Sequence, residues 1–211
     1  MAYKFTVNTV MDILGYSFKK LDAAFKGRPQ TKLVFPRYTG GRVRISEQEL
    51  RFAFVEELNE RDWPVCYSVE TPTDLKYRFS PDGKRPVPRV ETEEDRAEGV
   101  KTESAQFDLV IHRQNKERMC LVEFKGKLAD YKKDFLKLNC ESGTDCPGFF
   151  VEILKNENRR TMPSIRKKIE PVLGNVIYVC HVLETGNTYV MANDPYVSED
   201  PEGLRENWKQ L

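Results

Sequence analysis

Hydrophobic positions in the first sixty residues recur with helical spacing. Val10, Ile13, Leu14, Phe18, Leu21 and Phe25 fall on one side of a helix that Asn8 or Thr9 can cap and Gly27 ends. Ser46 opens a second helix to about Arg61. Leu50, Phe54 and Leu58 are its apolar stripe, and Glu49 stands three residues after Ser46, the spacing of a capping box. Residues 28–45 between them, with Pro29, Pro36 and Gly40-Gly41, read as irregular. After Pro64 the pattern becomes that of strands: Val65 to Val69, then Gln106 to Arg113 and Met119 to Lys125, the last two joined by a turn over residues 114–117. Residues 71–103, rich in proline and charge, predict a long excursion or a polar hairpin. Helical spacing returns from Lys127 to Leu138 through Leu128, Tyr131, Phe135 and Leu138. Phe149 to Leu154 reads as a strand, Pro163 to Leu173 as a short basic helix, and Ile177 to Leu183 with Thr188 to Ala192 as a terminal hairpin. This order predicts an α/β (α+β) fold, a mixed β-sheet flanked by helices. Residues 1–45 are expected to form an N-terminal helix and basic extension packed on the core, 46–192 the core domain, and 193–211 an acidic tail.

The chain of 211 residues, 39% hydrophobic and 32% charged, has the composition of one globular domain with elaborations. No apolar run is long enough to span a membrane, and the first eight residues lack the apolar core of a signal peptide. Five irregularly spaced cysteines and only two histidines, His112 and His181, argue against a structural zinc site and for reduced thiols, hence a cytoplasmic protein. The formal charge of +1 announces no partner, but its distribution is blocky. Eight basic residues against Asp22 alone fill 19–44, and six against Glu157 fill 155–168. Each block alone reads as solvated surface; both on one face would bind phosphates.

The chemistry lies in Phe107-Asp108-Leu109 and Leu121-Val122-Glu123-Phe124-Lys125-Gly126. In an antiparallel pair the start of one strand lies beside the end of the next, so Asp108 can approach Glu123. The strand period of two puts Lys125 on the face of Glu123. Two adjacent carboxylates repel, and a hard divalent cation resolves that conflict. The Phe124 carbonyl offers a further oxygen ligand. Lys125 would orient, or help deprotonate, water at such an ion.

Asp108 followed by Glu123-Phe124-Lys125, after a capped helix bearing an acid and before a lysine-rich helix, resembles the PD-(D/E)xK phosphodiesterase superfamily over residues 46–155. Phe107 departs from the proline of the family motif. The resemblance implies a restriction-endonuclease-like αβββαβ core with an extra N-terminal helix. It implies a Mg²⁺-dependent nuclease, with Mn²⁺ as substitute, cutting nucleic acid, DNA more readily than RNA. The family often adds a glutamate from the first core helix. Glu47 continues the Leu50, Phe54 and Leu58 stripe, whereas Glu49 is explained by the capping box and Glu56 by exposure. Catalytic residues would then be Asp108, Glu123, Lys125 and Glu47, with Asp108, Glu123, Glu47 and the Phe124 carbonyl as metal ligands. Arg42, Arg44, Lys132, Arg166 and Lys167 would contact nucleic acid. Lys132, Lys133 and Lys137 are otherwise read as plain solvated positions on the helix, and His112 as structural. No membrane is expected, and a homodimer or a separate partner chain stays open. The alternative is a catalytically inactive module of the same fold that binds nucleic acid or a protein.

Overall fold

A computed structural model describes residues 6–28, 32–61, 63–78, 89–126, 128, 131–193 and 208–211. Helix α1 (Val7–Phe25) begins two residues earlier than its apolar pattern indicates. Thr6 is the N-cap, and Thr6 and Thr9 satisfy each other's backbone N–H in a capping box. Helix α2 (Glu47–Glu60) starts as expected at Ser46, whose N–H and hydroxyl both reach the Glu49 carboxylate, at 3.1 and 2.6 Å. That bond explains why Glu49 is buried although it lies off the apolar stripe.

Strand β1 (Cys66–Arg78) runs nine residues beyond the expected end at Val69. Much of the proline-rich excursion is therefore strand, and Arg89–Val90 returns beside it as β2. The tip between them, 79–88, lies outside the described residues. A short helix α3 (Glu93–Ala97), capped by Thr92, leads to β3 (Glu103–His112) and β4 (Arg118–Lys125). Helix α4 is Tyr131–Glu141; the expected start at Lys127 lies outside the described residues. Then follow β5 (Gly148–Leu154), α5 (Thr161–Ile169) with a 3-10 turn over Glu170–Val172, β6 (Val176–Val182) and β7 (Asn187–Met191). Strand β8 (Trp208–Gln210) pairs with β7 and falls in the stretch read from sequence as an acidic tail. The acidic residues of that tail lie outside the described residues.

The eight strands form one sheet in the order β2-β1-β3-β4-β5-β6-β7-β8. Pairing is antiparallel from β2 to β4, parallel from β4 through β6, antiparallel to β7 and parallel to β8. The chain is thus α/β with a mixed sheet between two helical layers. β5 and β6, buried on both faces, read as nearly continuous apolar runs, as central parallel strands do. One layer is α1 and α2, with Leu33, Phe35, Val43 and Ile45 packed beside them against Leu109, Val122 and Val151. The other is α4 and α5, which pack Phe135, Leu138, Ile165 and Ile169 on Phe150 and Tyr178. Phe18 of α1 stacks on His181, so this helix is core structure and its aromatic residues do not form a nucleic-acid surface. No described helix is long and apolar enough to cross a membrane.

Candidate active site

The β3–β4 ladder ends at Leu109 opposite Val122. One step further the strands part, while β3 keeps its register with β1 and β4 keeps its register with β5 through Lys125 opposite Glu152. Side chains replace the missing ladder bonds. The Asp108 N–H donates to Glu123 Oε1 at 3.2 Å, and the Phe124 N–H donates to Asp108 Oδ2 at 2.8 Å. Regular alternation also breaks here: Phe107 packs in the α4–α5 layer and Leu109 in the α1–α2 layer, although they are two residues apart. Asp108 and Glu123 are therefore brought together, as their spacing indicates. N–H and C=O of one strand residue point the same way, so the Phe124 carbonyl turns to the side where the strands part.

Through this gap both helical layers reach the carboxylates. From α2, Arg51 Nη2 donates to Asp108 Oδ1 at 2.8 Å. From α4, Lys137 Nζ lies 2.7 Å from Glu123 Oε1 and 3.0 Å from Asp134 Oδ1. Lys125 does face α4 together with Glu123, and its Nζ lies 3.0 Å from Asp134 Oδ2. Asp134 thus sits between two lysines. The resulting cleft, about 350 Å³, is lined also by Glu47, Gln48, Glu70, Gln106 and Lys133. Glu47 is half-buried at the first position of α2 and lines the cleft. What holds the start of α2 here is Gly126, where a side chain would press within 3.2 Å of the Ser46 backbone. Across from Arg51 stands Glu70, a strand residue at φ +49°, a left-handed conformation that strains a residue with a side chain. The buried Nε of Arg51 has no hydrogen-bond partner among the described residues.

Burial dominates the electrostatics. It pushes Glu123 up to about 8; Lys137 opposes that rise, and Asp134 and Asp108 reinforce it. Burial pulls Lys125 down, but Asp134, Glu123 and Asp108 more than offset it and hold its ammonium above the usual range. Lys137 behaves the same way, held up by Glu123 and Asp134. Beside the site, burial pushes Glu152 up to about 7 although it accepts the Tyr178 hydroxyl at 2.6 Å and the Leu128 N–H.

Several expectations change. Lys137 is not solvated: it is 5% exposed and pairs with Glu123. Glu56 is not idle: with Glu57 and Glu60 it surrounds Lys20, which joins α1 to α2 and so leaves the first basic block. Arg42 and Arg44 are exposed, on a segment packed through Val43 and Ile45 against the α1–α2 layer. Arg166 and Lys167 are exposed on α5, in the opposite layer, so the two basic blocks do not share a face. Lys132 is exposed on the first turn of α4, next to the cleft residue Lys133. His112 is structural, between Ser68 Oγ at 2.7 Å and the Lys116 carbonyl. Sequence reasoning missed Arg51 and Asp134. Among the described residues no three His, Cys, Asp or Glu side chains are grouped to hold a metal ion. Compared with protein-family models, curated proteins and solved structures, the chain matches none.

Proposed function

We propose that the cleft is the active centre of a metal-dependent nuclease that hydrolyses phosphodiester bonds, with DNA as the favoured substrate. The observation that carries this reading is the parting of β3 and β4 at Asp108 and Glu123, which presents two carboxylates and Lys125 in one polar cleft. The run α2, β1, β3, β4, α4, β5, with three antiparallel strands and a parallel fourth, agrees with the αβββαβ core of the PD-(D/E)xK superfamily that the sequence resembles.

The donors fit a hard divalent ion. Asp108, Glu123 and the Phe124 carbonyl offer oxygens, Glu47 lines the same cleft, and burial raises Glu123 even with Lys137 beside it, so a further cation would be favourable. When bound, Mg²⁺ (or Mn²⁺) supplies Lewis acidity toward a phosphoryl oxygen and acidifies water. The chain's own groups do the rest. Lys125, kept cationic by Asp134, orients water and offsets negative charge growing on the phosphate; its raised pKa argues against a role as general base near neutral pH. Arg42 and Arg44, on the segment that runs into Ser46, and Lys132, next to the cleft residue Lys133, would hold flanking phosphates.

One observation favours a second reading. Arg51 and Lys137 already occupy oxygens that an ion would take, which suits an inactive module with an internally neutralised site.

The test offers single- and double-stranded DNA and RNA in Mg²⁺ and Mn²⁺. Cleavage by the parent is expected. Lys125→Ala should lower the rate about 10²-fold or more, with affinity in Ca²⁺ little changed, because the missing interaction belongs to the transition state. Asp108→Asn should abolish cleavage. Binding without cutting, equal in parent and Lys125→Ala, would leave the module reading in its place.

A further inference from the structure

We infer that Lys137 is a resident counter-cation that occupies the place of the divalent ion at Glu123 and yields that carboxylate when the ion binds. The inference rests on the metal reading above and says how the site stays assembled without metal. Glu123 is 1% exposed, and Lys137 and Asp134 are 5% exposed each. A buried carboxylate needs a compensating charge. Arg51 compensates Asp108, and Lys125 is turned to Asp134. Lys137 alone lies within 3 Å of Glu123 among the ion pairs of the described residues.

The ammonium has three hydrogens and three acceptors: Glu123 Oε1, Asp134 Oδ1 and the Gln106 carbonyl at 2.5 Å. Only the first is a ligand candidate for the ion. On hand-over Lys137 keeps Asp134 and the Gln106 carbonyl while its ammonium turns away from Glu123 Oε1 to make room for the ion. One N–H is released into the cleft, where a phosphate oxygen can take it. Asp134 is then the carboxylate that retains both lysines while Glu123 changes partner.

Two cations cannot share one carboxylate oxygen without mutual repulsion, so Lys137 and the ion compete. Lys137→Met keeps most of the stem and removes the charge. It should bind Mn²⁺ about tenfold or more tighter than the parent, a modest share of the attraction between close charges at an effective dielectric of ~20. Its melting temperature in chelator should fall, and Mn²⁺ should raise it further than it raises the parent's. Lys137→Arg, which keeps the charge, should bind Mn²⁺ as weakly as the parent, as should Lys101→Met, at an exposed position with no part in the site. Calorimetric titration and melting are run on parent and variants at several alkaline pH values, because a proton competes with the ion at Glu123 and does so more strongly once Lys137 is removed.

If the parent binds Mn²⁺ and neither Lys137→Met nor Lys137→Gln binds it tighter, the inference is overturned while the metal reading stands. If no form binds Mn²⁺, the metal reading fails and takes the inference with it. Should both neutral variants be unfolded in chelator, recovery of native circular dichroism on adding Mn²⁺ supports the hand-over. Failure to recover overturns it, because an ion able to replace Lys137 would satisfy Glu123.

Discussion

Glu152 isolates one side chain's cost to the fold. It sits beside Lys125 in the next strand, accepts Tyr178 and Leu128, and is pushed up to about 7 by burial. The unfolded chain releases this proton near the usual 4.5 while the folded chain holds it. Stability from this group is therefore full below about 4.5 and is lost as pH rises to about 7. Glu152→Gln keeps an oxygen for Leu128 and an N–H for the tyrosine hydroxyl without the ionisation. Between pH 4.5 and 7.5 the variant should gain on the parent by up to ~3 kcal/mol, the ceiling set by 1.36 kcal/mol per unit. A residual slope from Glu123, of the same sign and reaching about 8, should remain in both. Melting temperature against pH reads the difference, and parallel curves would refute the assignment. At this scale Asp108, Glu123 and Lys125 were legible because acids are rare in apolar strands. Asp134 was legible in principle: it lies three residues after Tyr131 and four before Leu138, inside the apolar stripe of α4. Lys137 and Arg51 flank their stripes by one position, where a long cation usually snorkels to water. Their burial depends on acids brought from distant strands, which no local pattern records.

Elements position the site through two local devices. The capping box of Ser46 and Glu49 fixes where α2 begins, and Ser46→Ala should cost about 1 kcal/mol in urea denaturation. Gly126 lets the end of β4 touch that beginning. A Cβ there would stand 3.2–3.3 Å from backbone atoms of Ser46 and Glu47, which cannot rotate away. Gly126→Ala should lower stability by about 1–3 kcal/mol, the usual range for overpacking. Gly143→Ala, where an added Cβ meets nothing within 4 Å, should stay within about 0.5 kcal/mol. Equal effects would mean that α2 does not depend on the close approach. Helix α2 and the strands β3 to β7 were readable because each carries an apolar stripe or run bounded by turn signals. β1 was not: past Val69 it continues through strained Glu70 and Pro72, and its outer residues are exposed, so neither alternation nor an apolar run marks it. β8 is three residues long and held by pairing to β7 and by Trp208 packed on the core beside Phe18, tertiary contacts without a local signal.

At the scale of the molecule, the sheet separates the two basic blocks that the sequence makes look alike. The segment bearing Arg42 and Arg44 leads directly into Ser46 and the cleft residue Glu47, in the α1–α2 layer. Arg166 and Lys167 ride on α5 in the other layer, and Arg166 faces Glu170 at 3.7 Å. On the proposed reading, a strand seated in the cleft would meet the first pair before the second, which lies in the α4–α5 layer. Each phosphate that the protein ceases to neutralise reduces the slope of log K against log salt by about 0.7 for single strands and 0.9 for duplex. Arg42→Glu with Arg44→Glu should therefore flatten the slope by about 1.4 for single strands and about 1.8 for duplex, one phosphate for each arginine, and weaken binding at low salt. Arg166→Glu with Lys167→Glu should leave the slope of a short oligonucleotide within measurement error. An oligonucleotide long enough to turn around the sheet edge should recover part of the α5 effect, which makes length the control variable. Fluorescence anisotropy across a salt series, in Ca²⁺ to prevent cutting, gives both slopes. Equal flattening by the two pairs on a short oligonucleotide would place the bound strand across both helical layers and refute the assignment of binding to the Arg42 and Arg44 side. Flattening by the α5 pair alone would move nucleic-acid binding away from Asp108 and Glu123 altogether.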